Sequence, residues 1–325
     1  MKYYMQQALC LARRGLGNVA PNPAVGCVIV KDNMIIARGW TQPGGRPHAE
    51  AMALAQAGRS ASGADVYVTL EPCFSPGRGP PCTQSLIDAG VRKVLIAIRD
   101  PHPRVNGQGV VALRAAGIEV EEGLCADEAR DVTRGFLSVV EQGRPMVTLK
   151  LAISADNKMT TGDQNNPWIT GEVARKHGHL LRANHDAIMV GIGTALADDP
   201  MLNCRIPGLE KFSPVRVILD GKNKLPLNSK LKQTEKQIPL WQITESEPKN
   251  ILEALASRGI TRVLIEGGSR VAESFLSAGL VDEAVIYRSL DCYPAGLAAP
   301  ELPENFIQKD QKQLGGDTYR HYVKV

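Results

Sequence analysis

Short β-branched and aliphatic runs alternate with stretches of helical periodicity along the whole chain, and that alternation constrains its fold more than any other feature. Strands separated by helices pack as crossover units, so the chain reads as α/β layers. An amphipathic first helix, its apolar residues interrupted by Gln6, Gln7, Arg13 and Arg14, comes before the runs 25–30 and 34–40. These flank the turn Lys31-Asp32-Asn33 and predict a β-hairpin. Helix 49–57, strand 65–70, helix 83–89, strand 91–98, helix 110–116 and strand 118–122 follow. The turn-rich stretch Gln142-Gly143-Arg144-Pro145 precedes a fresh strand at 146–153, which predicts a boundary between domains 1–144 and 145–325. Beyond it the pattern gives helices at 171–182, 250–258 and 269–278 and strands at 186–190, 215–220, 238–243, 262–265 and 283–287. The polar run 230–237 reads as a solvated loop.

Size and charge narrow the function classes. At about 100–200 residues per domain, 325 residues imply two cores. With 38 Lys and Arg against 34 Asp and Glu, the net charge of +4 is too small and too evenly spread for a nucleic-acid footprint. The apolar stretch 24–30 falls far short of the roughly 20 residues that span a bilayer. No membrane span and no export signal are expected, which places the chain in the cytoplasm. Its seven cysteines then belong to a reducing compartment, free for metal or core duty. Cys10, Cys27, Cys125, Cys204 and Cys292 are isolated and read as small buried hydrophobes.

Cys73 and Cys82 differ. His48-Ala49-Glu50 is followed by Pro72-Cys73, and Cys82 comes after eight intervening residues. One imidazole and two thiolates suit a catalytic zinc that keeps its fourth tetrahedral position open. Each ligand falls at a predicted strand-to-helix junction, where helix N-termini help keep thiolates ionised. Zinc makes its water acidic near neutral pH, but the leaving amine must still gain protons. Glu50, two residues after His48 at a helix start, is placed to carry them, as in zinc nucleobase deaminases. A closed structural zinc site would want a fourth ligand, and no other His or Cys has suitable local spacing. Arg78, in the Gly- and Pro-rich segment between the cysteines, reads equally as an anion-binding side chain or as a solvated one.

Several motifs in order resemble one known family across both halves. Pro21-Asn22-Pro23-Ala24-Val25-Gly26, His48-Ala49-Glu50, Thr69-Leu70-Glu71-Pro72-Cys73 and Gly77-Arg78 with Pro80-Pro81-Cys82 resemble the deaminase domain of the bifunctional riboflavin-biosynthesis deaminase/reductase. Leu149-Lys150-Leu151-Ala152, Trp168-Ile169-Thr170, Leu181-Arg182-Ala183, Gly193-Thr194, the run 196–200 and Glu266-Gly267-Gly268 resemble its reductase domain. The resemblance implies a cytidine-deaminase-like three-layer α/β/α domain followed by a dihydrofolate-reductase-like α/β domain. It also implies deamination of 2,5-diamino-6-ribosylamino-4(3H)-pyrimidinone 5′-phosphate at a zinc centre, then NADPH-dependent reduction of the ribose to a ribityl chain.

By position, the resemblance makes His48, Cys73 and Cys82 the ligands, Glu50 the proton shuttle and Asn22 a neighbour of the pyrimidine. Lys150, Asn166, Arg182, Asp198, Leu202, Arg205 and Glu266 fall at substrate positions, and Ala152, Trp168, Thr170, Thr194, Gly267 and Gly268 where the family binds NADP. Arg182 and Arg205 offer guanidinium forks suited to a phosphate. Gly267-Gly268 lets backbone N–H groups at a helix start approach a cofactor phosphate. No GxGxxG follows a strand, so NADPH rests on the family alone. A homo-oligomer through the reductase domain is also implied.

This chain departs from the family at Ser75 and Gly79 between the cysteines and at Thr41, positions whose side chains touch the deaminase substrate. Asn157, Asn166 and Asn203 are milder changes. Two alternatives follow. One is a zinc deaminase of another base or nucleotide with an altered or idle reductase half, supported only by Ser75 and Gly79. The other is a non-catalytic zinc-stabilised binding protein, which leaves Glu50 without a purpose.

Overall fold

Asp32 and Asn33 both adopt left-handed backbone, with φ of 50° and 59°, so the first two strands are joined by the tight two-residue turn that matches strand twist. A computed structural model describes residues 1–75, 79–103, 105–163 and 166–325. The chain divides into two units, Met1–Gly143 and Arg144–Val325.

In the first unit, strands β1 (Gly26–Lys31), β2 (Met34–Trp40), β3 (Asp65–Val68), β4 (Lys93–Ile96) and β5 (Glu119–Glu122) form one sheet in the order β2-β1-β3-β4-β5. β1 runs antiparallel to β2 and β3, while β3, β4 and β5 are parallel. Helices α1 (Lys2–Ala12), α2 (Ala49–Ala57), α3 (Cys82–Asp88), α4 (Gln108–Ala115) and α5 (Ala126–Gln142) complete the unit. Cys27, Val28 and Ile29 are all fully buried, so β1 is covered on both faces, as a three-layer arrangement requires. Two glycines set the layers. A Cβ on Gly26 would fall 1.8 Å from the Ala8 carbonyl oxygen of α1, and one on Gly39 would fall 2.0 Å from the Ala49 carbonyl oxygen of α2. Only hydrogen at these positions lets both helices seat against the sheet.

The second unit contains β6 (Met146–Ile153), β7 (Ala187–Gly191), β8 (Val215–Leu219), β9 (Leu240–Ile243), β10 (Arg262–Glu266), β11 (Glu283–Arg288), β12 (Phe306–Leu314) and β13 (Asp317–Lys324). Its sheet order is β12-β13-β11-β6-β10-β7-β8-β9, parallel from β11 to β9, with the β12–β13 hairpin added antiparallel at one edge. Helices α6 (Glu172–Ala183), α7 (Ile192–Asp198), α8 (Lys230–Gln233), α9 (Pro248–Ser257) and α10 (Ser269–Ser277) accompany it. Val263 and Ile265 of β10 belong to one buried cluster and Leu264 to another, so this sheet too is packed on both faces. β6 and β10 pair in register with Lys150 beside Glu266, which brings two sequence-predicted residues together at the carboxyl ends of neighbouring strands.

The sequence reading differs from the structure at several places. Arg144 goes with the second unit, because its guanidinium bonds Asp282 at 2.6 and 2.7 Å while Asp282 also accepts the Val147 N–H. Residues 230–233 form a helical turn instead of a loop, since Leu231 is buried and Ser229 caps the Lys232 N–H. Cys10 and Cys292 are exposed and Cys125 is half-buried; among the isolated cysteines only Cys27 and Cys204 are buried as expected. Helices α5 and α7 and the β12–β13 hairpin were not anticipated. Every residue of β12 is at least partly exposed, so it carries no alternating apolar signal. Among the described residues, no helix is long and apolar enough to cross a membrane.

Gly39→Ala should displace α2 and destabilise the first unit by about 1–3 kcal/mol, since overpacking against backbone has no side chain to yield. Calorimetry of the full chain checks this; an unchanged unfolding profile would contradict so close an approach.

Candidate functional site

Glu50 lies in the first turn of α2, only 3% exposed, and His48 occupies the N-cap position, its Nδ1 turned to the cysteines instead of to the helix's own N–H groups. The seating of α2 on Gly39 brings Glu50 near Cys27 of β1, whose thiol is pushed up by burial and by the charge of Glu50. Cys73 follows the end of β3, and Cys82 begins α3. The Cys82 N–H donates to Cys73 Sγ at 3.3 Å, while the Thr83 N–H and hydroxyl donate to the Cys73 carbonyl at 3.2 and 3.1 Å. The start of α3 therefore grips Cys73 at both its sulfur and its backbone.

The three sequence-predicted ligands converge. His48 Nδ1 lies 3.4 Å from Cys82 Sγ and 3.6 Å from Cys73 Sγ, and the three donor atoms all fall within 4.8 Å of one another. Zinc bonds of about 2.3 Å to sulfur and 2.0–2.1 Å to nitrogen at tetrahedral angles require N···S edges of about 3.6 Å. The donor set fits zinc in both chemistry and spacing. Hydrogen bonds from Cys82 and His48 bring Cys73 down to about 4, while the bond to Cys73, burial and the charge of Glu50 push Cys82 up. The hydrogen bond to Cys73 raises His48. Burial, aided by the charge of Cys73, lifts Glu50 to about 7.

Asn22 is half-buried against Gly45, where a Cβ would meet its Nδ2 at 1.9 Å, so the residue expected near the pyrimidine is seated three positions before His48. Thr41, a departure from the family, turns its hydroxyl to backbone. It is buried, accepts the Val25 N–H at 3.0 Å and donates to the Pro23 carbonyl at 3.1 Å, so its hydroxyl is spent holding the segment after Asn22. Arg78 lies outside the described residues; Ser75 is exposed and Gly79 half-buried.

In the second unit, Lys150, Arg182 and Glu266 form one cluster. Arg182 donates Nε and Nη2 to the two Glu266 oxygens at 2.7 and 2.8 Å and Nη1 to the Asn203 carbonyl at 3.0 Å. Lys150 Nζ stands 3.8 Å from Glu266. The expected phosphate fork of Arg182 is thus engaged by a carboxylate. Arg205 keeps an exposed side chain, with Nη1 bonded to Asn203 Oδ1 at 3.2 Å. Burial alone would raise Glu266, but Arg182 and Lys150 outweigh it and hold the carboxyl at about 2; burial lowers Lys150. Sequence reasoning missed His179, whose Nδ1 lies 3.0 Å from the Asn203 carbonyl and 3.3 Å from the Arg205 backbone nitrogen. Its spacing of three from Arg182 on a helix was the available signal.

Thr194 stands against the Gly267-Gly268 turn: a Cβ on Gly268 would lie 3.0 Å from its hydroxyl, and both glycines hold positive φ. That cradle fits the close backbone approach a dinucleotide phosphate demands, so the residues are compatible with NADPH. Ala152 is half-buried on β6, and Leu202 is buried with φ of 51°. Asp198 ends α7. Asn166, Trp168 and Thr170 occupy the segment entering α6, where Arg175 stacks on Trp168 at 4.7 Å and donates to the Thr170 carbonyl. Asn157 adopts φ of 60°, a conformation that Asn tolerates in place of glycine.

Residues 1–98 match the family described as the cytidine and deoxycytidylate deaminase zinc-binding region, and residues 145–289 match the RibD C-terminal domain. The riboflavin biosynthesis protein RibD of Aquifex aeolicus is 40% identical over 96% of this chain and 93% of its own length. A solved RibD from Acinetobacter baumannii is 39% identical, with a TM-score of 0.91 over 100% of this chain and 98% of that one. A Thermotoga maritima structure, described as a diaminohydroxyphosphoribosylaminopyrimidine deaminase/5-amino-6-(5-phosphoribosylamino)uracil reductase, is 34% identical with a TM-score of 0.90 over the same shares of the two chains.

Because Glu266 in the folded chain lies below its ordinary 4.5, its ion pair contributes fully above about pH 4.5 and fades as the pH falls toward 2. Arg182→Met should remove about 3 kcal/mol at pH 7 and flatten that acid limb. Urea unfolding between about pH 2.5 and 7 measures it; an acid limb of undiminished depth would contradict the pair's role.

Proposed function

We infer the division of labour in this chain from one premise: it belongs to the RibD family of bifunctional riboflavin-biosynthesis enzymes, which join a zinc-dependent deaminase to a reductase. The first activity is hydrolytic deamination of the diaminopyrimidinone ribosyl phosphate. The second is NADPH-dependent reduction of the ribosyl group to ribityl. Neither alternative is favoured, since the match covers both halves and extends over nearly the whole chain.

The residue roles are our proposal, carried by the convergence of one imidazole and two thiols beside a buried carboxylate. His48, Cys73 and Cys82 would hold the metal. Zinc supplies Lewis acidity that makes water nucleophilic near neutral pH. In the net reaction water adds to the ring carbon bearing the exocyclic amino group, the C–N bond breaks, and ammonia leaves as the carbonyl forms. Glu50, buried beside the three ligands, accepts the proton that water loses and delivers it to the departing nitrogen. Asn22 orients the pyrimidine, and Arg78 remains a candidate for the substrate's anionic end.

We assign deamination to the first unit, Met1–Gly143, and reduction to the second, Arg144–Val325. Ala152, Trp168, Thr170, Thr194, Gly267 and Gly268 would hold NADPH, which supplies a hydride. Arg205, its side chain exposed, is better suited to the phosphate than Arg182, which orients Glu266. Glu266 in turn holds the Lys150 ammonium, the group in this cluster able to give a proton to a sugar oxygen as the ring opens. Asn166, Asp198 and Leu202 complete the substrate contacts. A homo-oligomer formed through the second unit and a cytoplasmic location belong to the same proposal and rest on the family resemblance.

Glu50→Gln should retain one zinc per chain and lose roughly 10²–10⁴-fold in ammonia release. Reduction of separately prepared deaminated intermediate should persist. Ammonia release at the wild-type rate would remove Glu50 from the proton path.

A further inference from the structure

Glu71 is a buried carboxylate, 3% exposed, that the reaction does not use. Its Oε2 accepts the N–H groups of Gly107 at 3.0 Å and Asp100 at 3.3 Å, and its Oε1 accepts the Val110 N–H at 3.2 Å. Helix α4 begins at Gln108 after Gly107, which has no capping side chain. Val110 is the third residue of the helix, so its N–H is the one an N-cap side chain ordinarily satisfies. Glu71 supplies that cap from 39 residues away, and its charge suits the helix N-terminus.

A second observation joins the same partners. A Cβ on Gly109 would lie 2.5 Å from the Pro72 carbonyl oxygen and 3.1 Å from Glu71 Oε1. The first turn of α4 therefore rests directly on both residues that precede Cys73. On its other side Cys73 is gripped by the Cys82 and Thr83 donors of α3. The approach of Cys73 to His48 Nδ1 is consequently set from two sides, by the start of α3 at its sulfur and carbonyl and by the start of α4 through Glu71 and Pro72.

We propose that Glu71 is a positioning residue of the metal centre: by capping α4 it clamps Glu71-Pro72 and fixes the Cys73 sulfur where zinc needs it. This rests on the reading of His48, Cys73 and Cys82 as metal ligands. Because the clamp acts on the position of Cys73, its loss changes metal affinity and ligand field as well as the start of α4.

The test compares the full-length wild type with Glu71→Gln and with Gly109→Ala, which crowds Pro72 while leaving the carboxylate in place. Zinc affinity is measured by competition with a chromophoric chelator, and cobalt-substituted protein reports thiolate-to-metal charge transfer and ligand-field bands. Hydrogen-exchange protection of α1 reports whether the unit stays folded. Both variants should keep α1 protection, bind zinc roughly 10–100-fold more weakly, the range seen when groups supporting a ligand are lost, and shift the cobalt spectrum. Wild-type affinity and an unchanged spectrum in both variants would overturn the proposal. If Glu71→Gln does not fold, Gly109→Ala decides the question alone. A wild-type chain that takes up no zinc would instead overturn the metal reading, and this proposal with it.

Discussion

The contact between the α2 backbone and Gly39 of β2 governs the first unit. It places a helix start on the sheet, and with it two of the four side chains of the candidate site: His48 stands at the N-cap position, and Glu50 is buried in the first turn. A carboxyl group so placed loses water, and desolvation makes it hold its proton to about neutrality. The same burial that costs stability thus prepares the group for proton transfer. Cys73 and Cys82 arrive from a different direction, off the end of β3 and the start of α3, and meet His48 only because the sheet and its helical cover fix all three.

The second unit solves a comparable problem with an ion pair. Neighbouring parallel strands put Lys150 beside Glu266, and α6 brings Arg182 across to bind the carboxylate with two bonds. A buried carboxylate with a single lysine would be under-satisfied; the bidentate arginine completes it. This also redistributes roles within the substrate set. Arg182 becomes a support, while Arg205 keeps an exposed guanidinium and shares Asn203 with its neighbours His179 and Arg182.

Much of this was legible in the chain itself. The hairpin, the helix bearing His48 and Glu50, and the metal set follow from local periodicity and from the small repertoire of side chains that bind zinc. What was not legible depends on neighbours. Nothing in Leu181-Arg182-Ala183 says that the arginine spends its fork on Glu266, 84 residues away. Thr41, which stands where the family's side chain touches substrate, is recruited to backbone, because a short hydroxyl beside Pro23 and Val25 finds partners there. The β12–β13 hairpin escaped notice because an exposed edge strand lacks the apolar alternation by which strands are recognised. The family resemblance reached residues that motif physics could not, above all Thr194 beside Gly267-Gly268, which no dinucleotide fingerprint marks.

One chain carries out a zinc-dependent deamination and then a reduction of its product. The most direct measurement supplies zinc-loaded wild-type protein with the diaminopyrimidinone ribosyl phosphate and NADPH together, and records ammonia and loss of the reduced nicotinamide in the same sample. The account predicts one ammonia released for each NADPH oxidised, with ammonia leading and both signals lost when zinc is removed. NADPH oxidation that proceeds without ammonia release, or ammonia release indifferent to zinc, would contradict it.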